Sequence, residues 1–192
     1  MLDQFPIQGE WTVERYLKLP EDGRLIEYNE GVLEIVPLPD WIHQHLAALL
    51  WMVLRAILID GKKGEAILPP FHLRTDRKKY RHPDVMYLAP QNLHRFDPKS
   101  WDYADLVIEI VSPDDPDRDY IEKRTEYAAA GVPEYWIIDP DRQRVTQLTL
   151  DAGTYRETAH PIRSTIHSTV LAEIVVDLGS LYEQASTMPG QG

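Results

Sequence analysis

Two acidic residues stand in short apolar segments of the chain, where carboxylates are uncommon. Asp84 follows Pro83 and opens an apolar run at residues 85–89, and Glu109 interrupts the apolar segment at residues 105–111. A carboxylate inside a buried strand loses much of its hydration, so it must be paired, protonated or bound to a metal ion. If the two segments are neighbouring strands, both carboxylates converge on one hard cation such as Mg²⁺, which prefers oxygen ligands and keeps several waters.

Both acids also have other interpretations. Asp84 is placed to cap a turn after Pro83, and Glu109 is able to form a buried ion pair with an arginine or with Lys123. Two acids are also the catalytic set of most glycosidases. Sugar-binding aromatic residues do not cluster around these two acids in the sequence, so the metal site is favoured over the glycosidase.

The hydrophobic pattern predicts the elements that must hold these residues. Glycine, proline and capping residues divide the chain into helices and strands. The predicted helices span residues 12–19, 40–59 and 117–130, with a terminal turn near Leu181, and the predicted strands span residues 25–28, 32–36, 65–68 continuing through 71–75, 85–88, 105–111, 134–138, 144–150, 154–159 and 174–177. The segment at 105–111, which is apolar except for Asp105 and Glu109, is typical of a strand buried on both faces. The order predicts an α/β fold in which a mixed sheet carries flanking helices and additional hairpins.

Length and composition favour one globular domain. The chain has 192 residues, of which 43% are hydrophobic, and it has no cysteine. We expect a single domain over residues 1–185 and a disordered tail over residues 186–192. Thiolate zinc sites and cysteine nucleophiles are excluded. No apolar segment is long enough to span a membrane and no secretory signal is evident, so we expect a cytoplasmic protein.

The charge balance argues against nonspecific binding to nucleic acid. The formal net charge is −11, and contacts to phosphates need local cations. One basic run, RTDRKKYRH at residues 74–82, contains Arg77, Lys78, Lys79 and Arg81. Such a run is typical of a solvated hairpin turn. Its position just before Asp84 also makes these four residues candidates for contacts to nucleic acid.

A series of motifs resembles one known family. The motifs are LIEYNEG at residues 25–31, PDWIHQH at 39–45, PDV at 83–85, DLVIEIVSP at 105–113, a helix with Asp119 and Lys123, and GVPEYWIIDP at 131–140. They resemble the Uma-type family of candidate restriction endonucleases, formerly a domain of unknown function, within the PD-(D/E)XK nuclease superfamily. The resemblance covers about residues 25–181, and its most specific part is residues 105–140.

The resemblance implies a restriction-endonuclease-like core and metal-dependent cleavage of phosphodiester bonds, with DNA as the substrate and Mg²⁺ or Mn²⁺ as the cofactor. Asp84 is similar to the aspartate of the PD element, and Glu109 to the acid of the (D/E)XK element. Both are expected to bind the metal ion together with the backbone carbonyl of Ile110. The lysine expected two residues after that acid is absent, because Val111 stands there. The resemblance places the lysine on the following helix, at Lys123.

Two further residues match family positions near the expected site. His43 and Glu27 are additional site candidates, and each also fits a structural role, His43 as a hydrogen-bonded core residue and Glu27 as the partner of a nearby cation. Cleavage of both strands of a duplex favours a symmetric homodimer. The acidic charge and the missing lysine at Val111 leave an alternative open, in which the chain is a catalytically inactive binding or assembly module that retains the nuclease fold.

Overall fold

In the computed structural model, which describes residues 6–20, 23–59 and 62–187, the chain forms β-sheets with helices packed on them. The helices are α1 (Val13–Tyr16), α2 (Trp41–Ile57), α3 (Arg124–Ala129) and α4 (Leu178–Ser186), with a 3₁₀-helix at Pro90–Arg95 and a π-helical turn at Arg118–Lys123 that continues into α3. The strands are β1 (Ile26–Asn29), β2 (Val32–Ile35), β3 (Glu65–Ile67), β4 (His72–Asp76), β5 (Lys79–Arg81), β6 (Val85–Leu88), β7 (Ser100–Trp101), β8 (Leu106–Ile110), β9 (Glu134–Asp139), β10 (Arg144–Asp151), β11 (Thr154–Pro161), β12 (Thr165–His167) and β13 (Val175–Asp177).

The two acidic segments lie on adjacent strands of a six-stranded mixed sheet with the order β11-β10-β9-β8-β6-β3. Strands β6 and β8 are antiparallel, with Val85 opposite Ile108. Strands β8 and β9 are parallel, with Ile108 opposite Trp136. The prediction of an α/β fold with a mixed sheet is confirmed, and the two acidic strands are neighbours.

Apolar side chains cover both faces of this sheet. On one face, Leu46 and Leu54 of α2 are fully buried in a cluster that also includes residues of α4. On the other face, Tyr127 of α3 and Trp101 of β7 are fully buried against the sheet. Because both faces are covered, every residue of β8 is buried. The apolar pattern of this strand, broken only by Glu109, follows from its two-sided burial.

A second sheet has five strands in the order β2-β1-β5-β4-β7. Residues of β1 and β2 line one cavity together with residues of α2. The hairpin of β1 and β2 turns at Glu30 and Gly31, which have φ angles of 50° and 96°. These left-handed conformations suit a tight hairpin turn, and glycine adopts them without steric cost. This hairpin, and the one formed by β10 and β11, were both predicted from their turn residues.

Several short strands differ from the prediction. Residues 65–68 and 71–75 do not form one continuous strand, because β3 and β4 belong to different sheets and are separated by the cis peptide bond between Pro69 and Pro70. The sequence pattern did not indicate β5, β7 or β12, which have at most three residues each. So short a strand shows no hydrophobic period, and its existence depends on its neighbours.

Ser186 closes α4, whereas residues 188–192 of the predicted tail lie outside the described residues. None of the helices in the described ranges has the length and apolar character needed to cross a bilayer.

Gly64 tests the close packing of β3 against β6, which supports the strand that follows Asp84. Its φ is +107°, and an added Cβ would lie 2.2 Å from the backbone oxygen of Leu88. We expect Gly64→Ala to lower the free energy of unfolding by at least about 2 kcal/mol more than Gly131→Ala, as measured by urea denaturation. Gly131 also has a positive φ, of +78°, but has open space around it. Equal losses in the two variants would contradict the close approach.

Candidate active site

A cavity of about 280 Å³ opens between β6, β8, the N-terminal part of α2 and the π-helical turn. All five predicted side chains line it, namely Glu27, His43, Asp84, Glu109 and Lys123. Ile110, which was predicted to bind through its carbonyl, is also in the wall, and Arg118 and Asp119 are among the further lining residues. The fold therefore brings together residues that are up to 96 positions apart, from Glu27 to Lys123.

Asp84 is held between a strand and a helix. Its Oδ2 atom accepts a hydrogen bond of 2.7 Å from the backbone N–H of Ile110 and lies 3.1 Å from Nε2 of His43. The side chain of Asp40 caps α2 by accepting a hydrogen bond from the N–H of His43, and so fixes the first turn of the helix. Burial alone would lower the pKa of His43, but the Asp84 carboxylate outweighs burial and the pKa is raised.

Glu109 lies in the middle of the apolar strand and has a partner for each oxygen. Oε2 is 3.0 Å from Nζ of Lys123, and Oε1 accepts a 2.5 Å hydrogen bond from the hydroxyl of Tyr127. Burial, reinforced by the carboxylates of Asp84 and Asp119, raises the pKa of Glu109 to about 8 against the opposing effect of Lys123. The environment of Glu109 therefore disfavours its ionised form.

Lys123 lies between two carboxylates at the end of the π-helical turn. Its Nζ atom is 2.9 Å from Oδ1 of Asp119 as well as close to Glu109. Burial opposes the charged form, yet the carboxylates of Asp119 and Glu109 raise the pKa of Lys123 above its usual value. Asp119, Lys123 and Tyr127, which are four residues apart, form one series of contacts through Glu109, although the first part of this helix is a π-turn. Such turns occur frequently at functional sites.

Glu27 joins the cavity wall as the centre of a buried ion-pair network. Its carboxylate accepts hydrogen bonds from Arg81 at 2.8 Å, from Arg118 at 2.5 Å and from the backbone N–H of His82 at 2.9 Å. Burial opposes its charged form, but Lys123, Arg81 and Arg118 lower the pKa of Glu27 to about 2. Of the two roles open to Glu27, the structural pairing with a cation is the one that these contacts describe.

The basic run does not form a uniform surface. Arg81 is completely buried and donates hydrogen bonds to Glu27, Glu34 and Glu126. The assignment of Arg81 as a contact to nucleic acid is therefore corrected, because β5 is an interior strand between β1 and β4 and points this side chain inward.

The other three basic residues lie closer to solvent. Lys79 is half-buried and pairs with Glu126 at 3.1 Å, whereas Arg77 and Lys78 are exposed at the turn between β4 and β5. Contact of these three residues with nucleic acid stays a prediction.

The sequence analysis did not assign three residues that contact the candidate site. Asp119 and Tyr127 bind Lys123 and Glu109 directly, and their four-residue spacing from Lys123 was the available signal. Arg118 carried no signal in the sequence, because its partners Glu27 and Glu34 are 91 and 84 positions away.

The donor set of the cavity suits a hard cation with few protein ligands. Within residues 6–20, 23–59 and 62–187, no group of three or more histidine, aspartate or glutamate side chains is arranged to hold a metal ion. Asp84 and Glu109 supply two carboxylates to one cavity. Mg²⁺ is commonly bound through one or two carboxylates and keeps several waters, so the chemistry of these residues fits such an ion.

Glu27→Gln tests the buried network. Because the folded-state pKa of Glu27 is about 2, below its ordinary value of 4.5, the ionised group stabilises the fold above about pH 4.5, and this contribution is lost as the pH falls toward 2. We expect the variant to lose about 3 kcal/mol of unfolding free energy at pH 7 in urea denaturation, and the loss to shrink as the pH is lowered below 4.5. The exposed Glu30→Gln in the same hairpin serves as the control. A loss that stays constant with pH would contradict the assignment.

Of three comparisons with known proteins, two found a match. A crystal structure described as a "putative nuclease belonging to DUF820" from Anabaena variabilis matches with a TM-score of 0.74 and 20% identity, covering 94% of this chain and 99% of that one. At this identity the likeness shows the shared fold. No curated protein matches the chain. The model of the Uma2 family, described as "Putative restriction endonuclease", matches residues 13–179. With most of its length matched, the chain belongs to the Uma2 family.

Proposed function

We propose that the protein is a metal-dependent endonuclease that hydrolyses phosphodiester bonds in DNA. The observation that carries the proposal is the pairing of β6 with β8, which places Asp84 and Glu109 in one cavity with Lys123 at 3.0 Å from Glu109. Membership of the Uma2 family supports a nuclease, and the proposal adds the metal ion and the DNA substrate.

In this proposal Asp84 and Glu109, with the backbone carbonyl of Ile110, hold Mg²⁺ or Mn²⁺. When bound, such an ion neutralises charge on the phosphate oxygens and lowers the pKa of a bound water. Ile110 lies at the cavity wall, where its N–H already fixes Asp84. Tyr127 holds the second oxygen of Glu109, so the carboxylate is oriented before any ligand enters.

Lys123 acts as a hydrogen-bond donor in this mechanism. Its raised pKa keeps the ammonium charged at neutral pH, so it orients the attacking water or a phosphate oxygen rather than accepting a proton. Asp119 fixes the ammonium from the opposite side at 2.9 Å. In this mechanism Lys123 replaces the lysine of the sequence motif, whose position is occupied by Val111. The helix after β8 brings the Lys123 side chain to within 3.0 Å of Glu109. Electrostatic preorganisation of this kind is a large contributor to catalysis.

A second candidate function is a nuclease-fold module that binds a partner without catalysis. Both Glu109 and Asp119 are paired with Lys123, which satisfies the buried charges without a metal ion. This module would leave DNA intact, and substitutions in the cavity would change its stability more than its binding.

Plasmid nicking separates the two candidates. We expect purified protein to nick supercoiled plasmid with Mg²⁺ or Mn²⁺ and not with EDTA, because the carboxylates alone do not activate water. Glu109→Gln and Lys123→Ala should each lower the nicking rate at least roughly 100-fold, by removing a metal ligand and a positioning cation respectively. Arg156→Ala, at an exposed position outside the cavity, is the control and should stay within about threefold of wild type. Nicking that persists in Glu109→Gln would refute the proposed site.

Metal binding can be measured independently of cleavage. We expect Mn²⁺ titrated into the protein to bind at one site, detected by loss of the free-ion electron paramagnetic resonance signal. Asp84→Asn should weaken the affinity at least roughly tenfold, since it removes one charged oxygen ligand. Asp141→Asn changes an exposed acid outside the cavity and should leave the affinity unchanged. Equal affinities of the two variants would remove Asp84 from the metal site.

A further inference from the structure

A larger cleft, of about 750 Å³, opens beside the candidate active site. The two cavities share five wall residues: Leu25, Pro39, His43, His82 and Asp84. The volume lies within the roughly 300–1,000 Å³ range of ligand clefts. We call this space the apolar cleft. Because Asp84 borders both spaces, a molecule that reaches the acids with one part extends into the apolar cleft with the next.

The walls of the apolar cleft are mostly carbon. Beyond the shared residues they include Tyr16, Leu17, Leu19, Ala47, Ala48 and Leu68. The rings of Tyr16 and His72 lie with centroids 5.5 Å apart, and those of His72 and His82 4.4 Å apart. Burial lowers the pKa of His72 to about 4, so this ring is neutral at pH 7. The cleft therefore offers flat, uncharged aromatic surfaces next to an acidic site.

We propose that the apolar cleft binds an unpaired nucleobase adjacent to the scissile phosphodiester, so that the protein prefers single-stranded DNA, or DNA with an unpaired nucleotide such as a locally opened region of a supercoiled plasmid, over an intact linear duplex. The inference rests on the proposed nuclease function and names its substrate class. The base next to the cleaved phosphate is flat and largely apolar on its faces. Only the sugar separates it from that phosphate, so it lies close to the metal site.

The charge distribution favours a base-binding mode over a duplex-binding mode. The chain carries a net charge of −11, and the buried Arg81 and the half-buried Lys79 are both engaged with glutamates. Duplex binding depends mainly on phosphate contacts by exposed cations. Stacking of a base on aromatic side chains supplies affinity without such contacts and tolerates any sequence. A protein with few free cations at its site gains more binding free energy from burying a base than from contacts along the phosphate backbone.

The structure of a duplex also favours a single-stranded substrate. A base in a duplex is stacked and paired, and its extrusion into a pocket has a free-energy cost that is absent for a single-stranded base.

The side-chain amide of Gln44 lines the apolar cleft and makes no hydrogen bond within the described residues. It offers one acceptor and two donor hydrogens to the edge of an entering base. Gln44 is exposed, so substituting it leaves the core unchanged.

Ala48 and Ala56 provide a matched pair of variants on α2. Ala48 lines the apolar cleft, whereas Ala56 is exposed and lies outside it. Ala48→Trp places a large side chain in the cleft, and Ala56→Trp adds the same side chain to solvent. Gln44→Ala is a milder second variant, which keeps the test valid if Ala48→Trp does not fold.

The experiment measures binding of a fluorescein-labelled 20-nucleotide DNA, single-stranded or annealed to its complement, by anisotropy in the Glu109→Gln background with Mg²⁺. We expect the single strand to bind at least roughly tenfold more tightly than the duplex. Ala48→Trp should lose at least roughly tenfold on the single strand and Gln44→Ala at least about threefold, whereas Ala56→Trp should match its parent. Equal affinity for both DNAs, equal behaviour of the two tryptophan variants, or binding confined to an RNA of the same sequence would overturn the inference.

The same oligonucleotides distinguish a failure of the inference from a failure of the proposed function. Wild-type protein that cleaves both DNAs at equal rates, together with equal binding, would overturn the role of the apolar cleft and leave the nuclease intact. Selective binding of the single strand without metal-dependent cleavage of either DNA would support base binding by the apolar cleft and overturn the nuclease function.

Discussion

The burial of Glu109 inside a fully covered strand is the constraint on which the rest of the site depends. A carboxylate in such a position requires compensation by charge or by hydrogen bonds. Lys123 and Tyr127 supply it, one contact to each oxygen. Both side chains come from the helical segment that follows β8, so the need to satisfy one acid determines how this segment docks on the sheet. The same docking turns Lys123 and Arg118 toward the cavity.

A second set of charges holds the opposite wall of the cavity. Arg81 on β5 connects Glu27 on β1 with Glu126 on α3, and Arg118 joins the network from the π-helical turn. The five-stranded sheet is thereby tied to the helix that carries Lys123. A buried ionic network adds less to net stability than its contacts suggest, because desolvation opposes it. Its role here is to position the cavity wall. Removal of one partner would leave a buried charge unpaired and would release the wall from the helix.

The two adjoining spaces divide the chemistry of the site. The smaller cavity collects carboxylates and cations, which suits a metal ion and a phosphodiester. The apolar cleft presents neutral rings and aliphatic side chains, which suit a base. His43 and His82 border both spaces, and their environments differ. The Asp84 carboxylate raises the pKa of His43, whereas burial lowers the pKa of His82.

The sequence by itself determined the long elements and the two acidic strands, because hydrophobic period, caps and turn residues act over a few neighbouring positions. Strand β8, helix α2 with its Asp40 cap and both hairpins follow from such local signals. The family motifs added Lys123. Only the tertiary structure decided that Arg81 is buried, that Arg118 reaches Glu27 across 91 positions and that an apolar cleft adjoins Asp84. These features arise from contacts between distant segments, whose energies depend on burial and charge pairing that no local pattern records.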